Sequence, residues 1–485
     1  MLEEKITDQQ VAGSVEQPYR QTRGVRILLG DPKKAIIKLS IPMVAAMSAQ
    51  TVYNLVDAIW VSGKGPESLS AVGFTFPFFF LAIAISNGIG IGGGAAISRR
   101  IGARDKKGAD SVATHTIVIM LIFVALFTSS MLLLARPLLR LMGAGRALEL
   151  SVTYAKIMFS GILFVFFMQV AVSILRSEGD AKRAMYAMVA GATLNIALDP
   201  IFIYSLDLGV AGAAWATILS MFLVSVLTSY WLFMQKRTYV SFKFSGFRFQ
   251  KDPIYDIGRV GLPASVSQMS MSLMAFALTT IVASVGGPDG VAVYTTGWRV
   301  ISMAVLPMLG VASAVTSVSG AAFGARDYKK IEISYLYALK AGVITEGALA
   351  VIIFVFAPHI TWIFTWSKAS ARIMEDLIVF MRTLWLLLPT VAFGMLSSAL
   401  FQGVGKGFYA LIMTLVRTLV FTVPFAWVLG VHLHWGLRGV WIGMVTAGIC
   451  YIPIAFGWAM SYIRKLERAA PPTTKTACPE PLKGY

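Results

Sequence analysis

Residues 98–105 read Ser98-Arg99-Arg100-Ile101-Gly102-Ala103-Arg104-Asp105, and 222 positions further on the last four recur as Gly324-Ala325-Arg326-Asp327. Each copy is a short polar stop between long apolar runs. The pairing extends to both sides. Asp31-Pro32 and Ile41-Pro42 are echoed by Asp252-Pro253 and Leu262-Pro263 at an offset of 221. Gly179, Lys182 and Pro200 return as Gly403, Lys406 and Pro424 at 224, and Gly209 and Gly212 as Gly436 and Gly439 at 227. Chance supplies one such match, but a collinear series with a slowly growing offset marks a duplication. The chain reads as two halves of one plan, joined by a basic stretch at about 235–254.

Each half contains six apolar runs, at 35–60, 69–97, 112–135, 150–175, 184–205, 209–234, 255–284, 291–319, 333–357, 373–400, 408–429 and 437–462. Of the 485 residues, 57% are hydrophobic and 14% charged, against roughly a quarter charged in a soluble domain. A bilayer span takes roughly 20 apolar residues. Only helices and closed barrels cross a membrane, and runs this long exclude barrel strands. The expected fold is an all-α polytopic membrane protein, with twelve transmembrane helices in two six-helix lobes. An even number of spans per half keeps both halves in one orientation, so a pseudo-two-fold axis should run along the membrane normal. The expected divisions are an N-terminal segment 1–34, an N-lobe 35–234, a basic linker 235–254, a C-lobe 255–463 and a tail 464–485.

The 42 Lys+Arg against 24 Asp+Glu give a net charge of +18. Loops on the side of the termini carry about four times as many Lys and Arg as the opposite loops, so both termini are expected in the cytoplasm of a multi-pass cell-membrane protein. Basic loops account for the charge without nucleic acid. Residues 1–30 lack the continuous apolar stretch of a cleavable signal peptide. Cys450 and Cys478 form neither a disulfide framework nor a metal pair. No HExxH, no GxSxG and no paired His with a carboxylate occurs in the spans, so an enzyme is not expected. The run Gly88-Ile89-Gly90-Ile91-Gly92-Gly93-Gly94 follows no strand and precedes no suitably spaced Lys; close helix packing or a hinge explains it better than a phosphate cradle.

Ionisable groups deep in a span are costly and few: Asp57, Asp199, Glu346, Arg299 and Arg417. Tyr53 and Asp57 share a helical face at i and i+4, as do Asn195 and Asp199. Pro200 should disrupt the bond to the Ile196 carbonyl and leave a bent helix with a spare acceptor. Ala213 and Thr217 share a face of the next span and add a hydroxyl. These are oxygen donors suited to a hard cation or a shared proton. Alternatively, Asp199 caps its helix and Asn195 bonds a neighbour as interhelical glue, which leaves Asp57 unexplained. The repeat sharpens the choice, because Asp57, Asn195, Asp199 and Thr217 correspond to Leu278, Leu419, Val423 and Met444. Only the first half carries the polar set. Glu346 stands alone, facing a wet crevice or taking up a proton, and Arg299 and Arg417 pair with helix ends or line a polar cavity. Met47, Gln50, Met269, Trp298 and Met303 are candidates for an adaptable substrate cavity.

These features resemble the multidrug and toxic compound extrusion family of secondary transporters over roughly residues 31–465. The resemblance is carried by the two six-helix bundles, Tyr53 to Asp57 with Trp60 and Gly63, the Gly102–Asp105 turn and its copy, Arg176-Ser177-Glu178-Gly179-Asp180, and Asn195 to Asp199-Pro200. It implies a coupling-ion pocket formed by Asp57, Asn195, Asp199 and Thr217, with Ala213 at the backbone-carbonyl position and Tyr53 beside it. Na⁺ or H⁺ would be the coupling ion, and no other cofactor is implied. The implied activity is antiport of amphipathic, often cationic, organic compounds by a protein expected to be a monomer, with membrane lipid as its surroundings. A flippase for a lipid-linked precursor is the alternative.

Overall fold

The computed structural model describes residues 22–63, 66–235, 237–365 and 371–469. Residues 1–21 of the N-terminal segment and 470–485 of the tail lie outside the described residues, as does Lys236 of the linker. The described residues form helices and no strand. Ten helices are long and apolar enough to cross a bilayer, and two bent pairs raise the total to twelve.

Spans 1 to 6 are Pro32–Ser62, Pro66–Gly102, Lys106–Leu141, the pair Leu148–Ser160 and Ile162–Ser177, then Ala181–Ser205 and Gly209–Met234. Spans 7 and 8 are 251–286 and 288–324. Gly287, at φ 56° and ψ −155°, breaks the helical run there, and Val305 interrupts span 8 before Leu306–Gly324. Spans 9 to 12 are Tyr328–Thr365, the pair Ala371–Leu384 and Leu387–Gly403, Gly407–His432 and Gly436–Ala469. Several helices outrun the apolar segments. Span 3 has 36 residues, about 54 Å at 1.5 Å per residue, against a hydrocarbon core of about 30 Å. Charge stops an apolar run but not a hydrogen-bonded helix, so Lys106 and Arg140 sit on helix turns that project from the core. Spans 4 and 10 are bent by 46° and 50°.

The repeated tetrapeptide makes the same turn twice. Span 2 ends at Gly102, Arg104 takes a left-handed conformation at φ 58°, and the Asp105 side chain accepts from the Gly108 amide at 2.8 Å to start span 3. In the copy, span 8 ends at Gly324, Arg326 has φ 57°, and Asp327 accepts from the Lys330 amide at 3.0 Å. A carboxylate at the cap satisfies an otherwise free helix amide and suits the positive end of the helix dipole.

Both turns lie on the face where the described chain begins and ends, here called the terminal face. There the lobes meet. A Cβ on Gly102 would collide with the carbonyl of Ala321, and one on Gly324 with the carbonyl of Arg99. Gly88 and Gly92 of the glycine run lie against Gly261 and Ile257 of span 7, while Gly90 and Gly94 receive Ser173 of span 4. The run is therefore a close-packing surface. Arg99, 6% exposed, donates to the Gly403 carbonyl at 3.1 Å. Asp256 of span 7 is 3.3 Å from Arg100 and 2.7 Å from Arg259.

Two further pieces cross this face. The short helix Arg23–Leu29 buries Val25 and Leu28; its Gly24 lies against Gly179 of the N-lobe, and its Leu28 carbonyl accepts from Lys330 Nζ of the C-lobe at 3.2 Å. The linker lies on the N-lobe. Its Tyr239 and Val240 amides donate to the two carboxylate oxygens of Glu178 at 2.8 Å each, the Ser241 amide to Asp110 at 2.7 Å, and the Gln250 amide to His115 Nε2 at 3.0 Å.

One cluster of buried apolar side chains joins both lobes at the terminal half and continues along span 3 to the opposite face of the N-lobe. Toward the opposite face they separate, with one cluster within the C-lobe around Leu278, Phe380 and Trp441 and small ones within the N-lobe around Ile203 and Ile218. Span 1 packs along 306–324 but has no extended packing with 288–304. The lobes thus form a V, closed at the terminal face.

Candidate functional site

The N-lobe arm of the V contains the polar set. Span 1 packs along span 5, and span 5 along span 6. Asn195, Asp199, Thr217 and Ala213 are all buried, the first two fully. Asn195 Nδ2 donates to Thr217 Oγ1 at 3.2 Å, and that hydroxyl donates to the Ala213 carbonyl at 3.0 Å. This chain of bonds fixes the amide so that its Oδ1 remains without a donor, and both carboxyl oxygens of Asp199 are likewise buried with no hydrogen-bond partner. The half-exposed Asp57 carboxyl faces Asp199 from span 1. Tyr53, one turn before, faces Thr217 and both carboxyls. All six residues singled out for ion coupling converge.

Span 5 runs on past Pro200 without a break. Residues Ala181–Ser205 form one continuous span, and the turn after Pro200 is taken up by a π-helical segment, Ile201–Ser205. A proline lacks the amide of the ordinary ladder, and widening the winding accommodates it without a break. The π segment carries Tyr204, whose hydroxyl donates to the Trp60 carbonyl at 2.6 Å and whose ring meets Trp60 edge-on at 6.0 Å. This bond pins the end of span 1 to span 5.

Tyr154 of span 4 joins the site, facing both Asp57 and Asp199. It lies in the mixed stretch Ser151-Val152-Thr153-Tyr154-Ala155-Lys156, where one more polar group does not stand out, so no periodicity or spacing points to it. The outer half of span 1 leaves Val52, Leu55 and Ile59 exposed by 53%, 56% and 58%. Of the cavity candidates, Met269 and Met303 are exposed, Met47 and Gln50 are half-buried, and the Trp298 ring lies tilted by 31° against Tyr294 at 5.9 Å. Glu346 is fully buried, with neither carboxyl oxygen bonded. Arg299 is exposed, and Arg417 packs its side chain against Gly394. At the repeat-equivalent positions, Leu278 and Met444 are buried in the C-lobe core with Val423 packed against it.

The arrangement is one of oxygen atoms, two carboxyls among them, held between packed helices with no cation of the protein inserted. Such a set can hold a proton or a hard cation and release it when a helix moves. The model of the MatE family matches residues 42–201 and 263–428, one block in each lobe. The chain belongs to the MATE family. It is accordingly a multi-pass membrane transporter and not an enzyme. Among MATE relatives, it is 26% identical over 430 residues to a probable multidrug resistance protein, YoeA, of Bacillus subtilis (strain 168), and 25% identical over 430 residues to the multidrug export protein MepA of Staphylococcus aureus (strain bovine RF122 / ET3-1). Each match covers 86% of this chain and 91% of the relative. A solved multidrug resistance MATE transporter of the MOP superfamily, in an outward-facing conformation, is 49% identical with a TM-score of 0.90, covering 93% of this chain and all of that one (100%). A MOP superfamily transporter from Pyrococcus furiosus Vc1 (DSM3638), for which reverse polarity of the binding pocket suggests a different function, is 48% identical with a TM-score of 0.88, covering 92% and 99%.

Proposed function

We propose that this MATE transporter exports amphipathic, often cationic, organic compounds in exchange for H⁺ or Na⁺, by alternating access between its lobes. The observation that carries the reading is the Asp57–Asp199 pair beside Asn195, Thr217 and the Ala213 carbonyl, with no N–H or hydroxyl donor of the protein on Asp199 and every repeat equivalent apolar. A site required only to hold the scaffold together would be expected in both halves.

Two carboxylates side by side repel unless a cation lies between them. Entry of the ion from the open side of the V neutralises Asp57 and Asp199 and removes their attraction for an organic cation, which then leaves. Tyr53 and Tyr154 limit water around the pair, and the Tyr204–Trp60 bond gives span 1 a fixed end about which its inner part can rearrange. The terminal face is the cytoplasmic one by the distribution of Lys and Arg, so the V opens outward from the cell membrane. The protein acts as a monomer, since the N-lobe alone supplies the ion site.

Transport by reconstituted vesicles under separately imposed pH and sodium gradients tests this. Export driven by neither gradient would remove the antiport reading. The second reading is a flippase for a lipid-linked precursor; that a different function is suggested for the Pyrococcus furiosus relative keeps a reading other than drug export open. An anionic headgroup would be drawn to Arg299 and Arg417. Movement of a lipid-linked anion without an imposed gradient would decide for it.

A further inference from the structure

We propose that the cleft between the Arg23–Leu29 helix and the start of span 1 is a binding site for the phosphate headgroup of an anionic phospholipid, in the leaflet that adjoins the terminal face. The cleft measures about 580 Å³ and is lined by four cations, Arg23 and Arg26 from the short helix and Lys34 and Lys38 from span 1. All four are exposed, and none makes an ion pair among the described residues. The one acid in the cleft, Asp31, is committed to capping span 1, where its Oδ1 accepts from the Lys34 amide at 2.8 Å. The first turn of span 1 adds the positive end of its dipole to the same space.

Chemistry alone would admit any phosphate, but the surface below the cleft favours a lipid. Lys34, Ile37, Lys38 and Ile41 lie one above the other on a single helical face, and Ile37 and Ile41 are exposed by 43% and 64%. The apolar stripe thus continues from the cations toward the hydrocarbon, where acyl chains attached to a bound headgroup would lie. Basic pockets at a helix entry into the bilayer suit anionic headgroups better than zwitterionic ones.

The repeat supplies an internal comparison. Lys34 and Lys38 correspond to Tyr255 and Arg259, and Arg259 is taken up by Asp256 at 2.7 Å and lies over the Tyr255 ring. Where the C-lobe needs its cation for the seam between lobes, it is neutralised by the protein. In the N-lobe four cations are left for a ligand.

Native mass spectrometry of the full-length protein with added phosphatidylglycerol or phosphatidylcholine tests the site. The wild type should retain phosphatidylglycerol in preference, and a variant carrying Arg23→Gln, Arg26→Gln, Lys34→Gln and Lys38→Gln should bind it about tenfold or more weakly. A charge-matched variant with Lys33→Gln, Lys182→Gln, Lys251→Gln and Lys465→Gln removes four exposed cations elsewhere and should bind as the wild type does. Equal loss in both variants would mean diffuse attraction and overturn the site, and inorganic phosphate that binds the wild type as tightly as phosphatidylglycerol would overturn the lipid assignment, because the apolar stripe would then contribute nothing. Should the fourfold variant fail to fold, Lys38→Gln alone is expected to weaken retention severalfold; unchanged retention would count against the proposal.

Discussion

Gly102 lies against the carbonyl of Ala321 so closely that no side chain fits between them. The repeat mate of this contact, Gly324 against the carbonyl of Arg99, is also present. Alanine at either glycine must push the lobes apart at the terminal face. Spin labels at Arg104 and Arg326 of the Gly102→Ala and Gly324→Ala proteins should report longer distances than in the wild-type background, with export reduced. Unchanged distances would show that the contact does not set the closed state.

The coupling site predicts an asymmetric response to mutation. Asp57→Asn and Asp199→Asn should each abolish gradient-driven export in vesicles while expression persists. Val423→Ala should be mild. Leu278→Ala, at a fully buried core position, should cost about 2–5 kcal/mol of stability and leave ion coupling intact. Export that survives both aspartate substitutions would eliminate the site.

Ion and substrate should oppose one another. Raising proton or sodium concentration is expected to weaken binding of an organic cation to the purified protein, and the cation should weaken ion binding by the same factor. The Asp57→Asn, Asp199→Asn double variant should bind the cation without regard to pH or sodium. Calorimetry in which the wild type shows the same indifference would contradict the mechanism.

A pH effect is expected outside the membrane at Glu178. Burial pushes its carboxyl up to about 7, against the downward pull of the Val240 and Tyr239 amides and with a smaller upward push from Asp180. The folded protein therefore holds this proton more tightly than the unfolded chain, so its contribution to stability is full below the usual glutamate value and is lost as pH rises through about 7. Thermal denaturation of wild type and Glu178→Gln between pH 5 and 8, read as the difference in Tm, should show the wild type losing ground with rising pH; a constant difference would refute the assignment.

The duplicated Gly-Ala-Arg-Asp turn and the spans were legible in the sequence because capping, apolar length and repetition are local or collinear signals. Tyr53, Asp57, Asn195 and Asp199 were legible because a polar group inside an apolar run stands out. Tyr154 was not, since among Ser151, Thr153 and Lys156 it does not stand out and only the packing of span 4 brings it to the carboxyls. The π winding after Pro200 was hidden for another reason: a missing amide can be absorbed by a bend, by a wider turn or by both, and the surrounding helices decide how. In the sequence Glu178 is one charge among three in Arg176-Ser177-Glu178-Gly179-Asp180, and only the path of the linker shows the two amides it receives.

The seam at the terminal face is isologous: the surface that each half presents, a glycine at a helix end and a carbonyl three residues before it, is matched by the same surface of the other half. Its geometry is that of a homodimer, held within one polypeptide. A single half carries both members of the contact and so retains the means to pair with a copy of itself. What one polypeptide adds is that the two halves need not be alike: at the equivalent positions Asp57 and Leu278, one half carries an acid and the other fills the space with hydrocarbon.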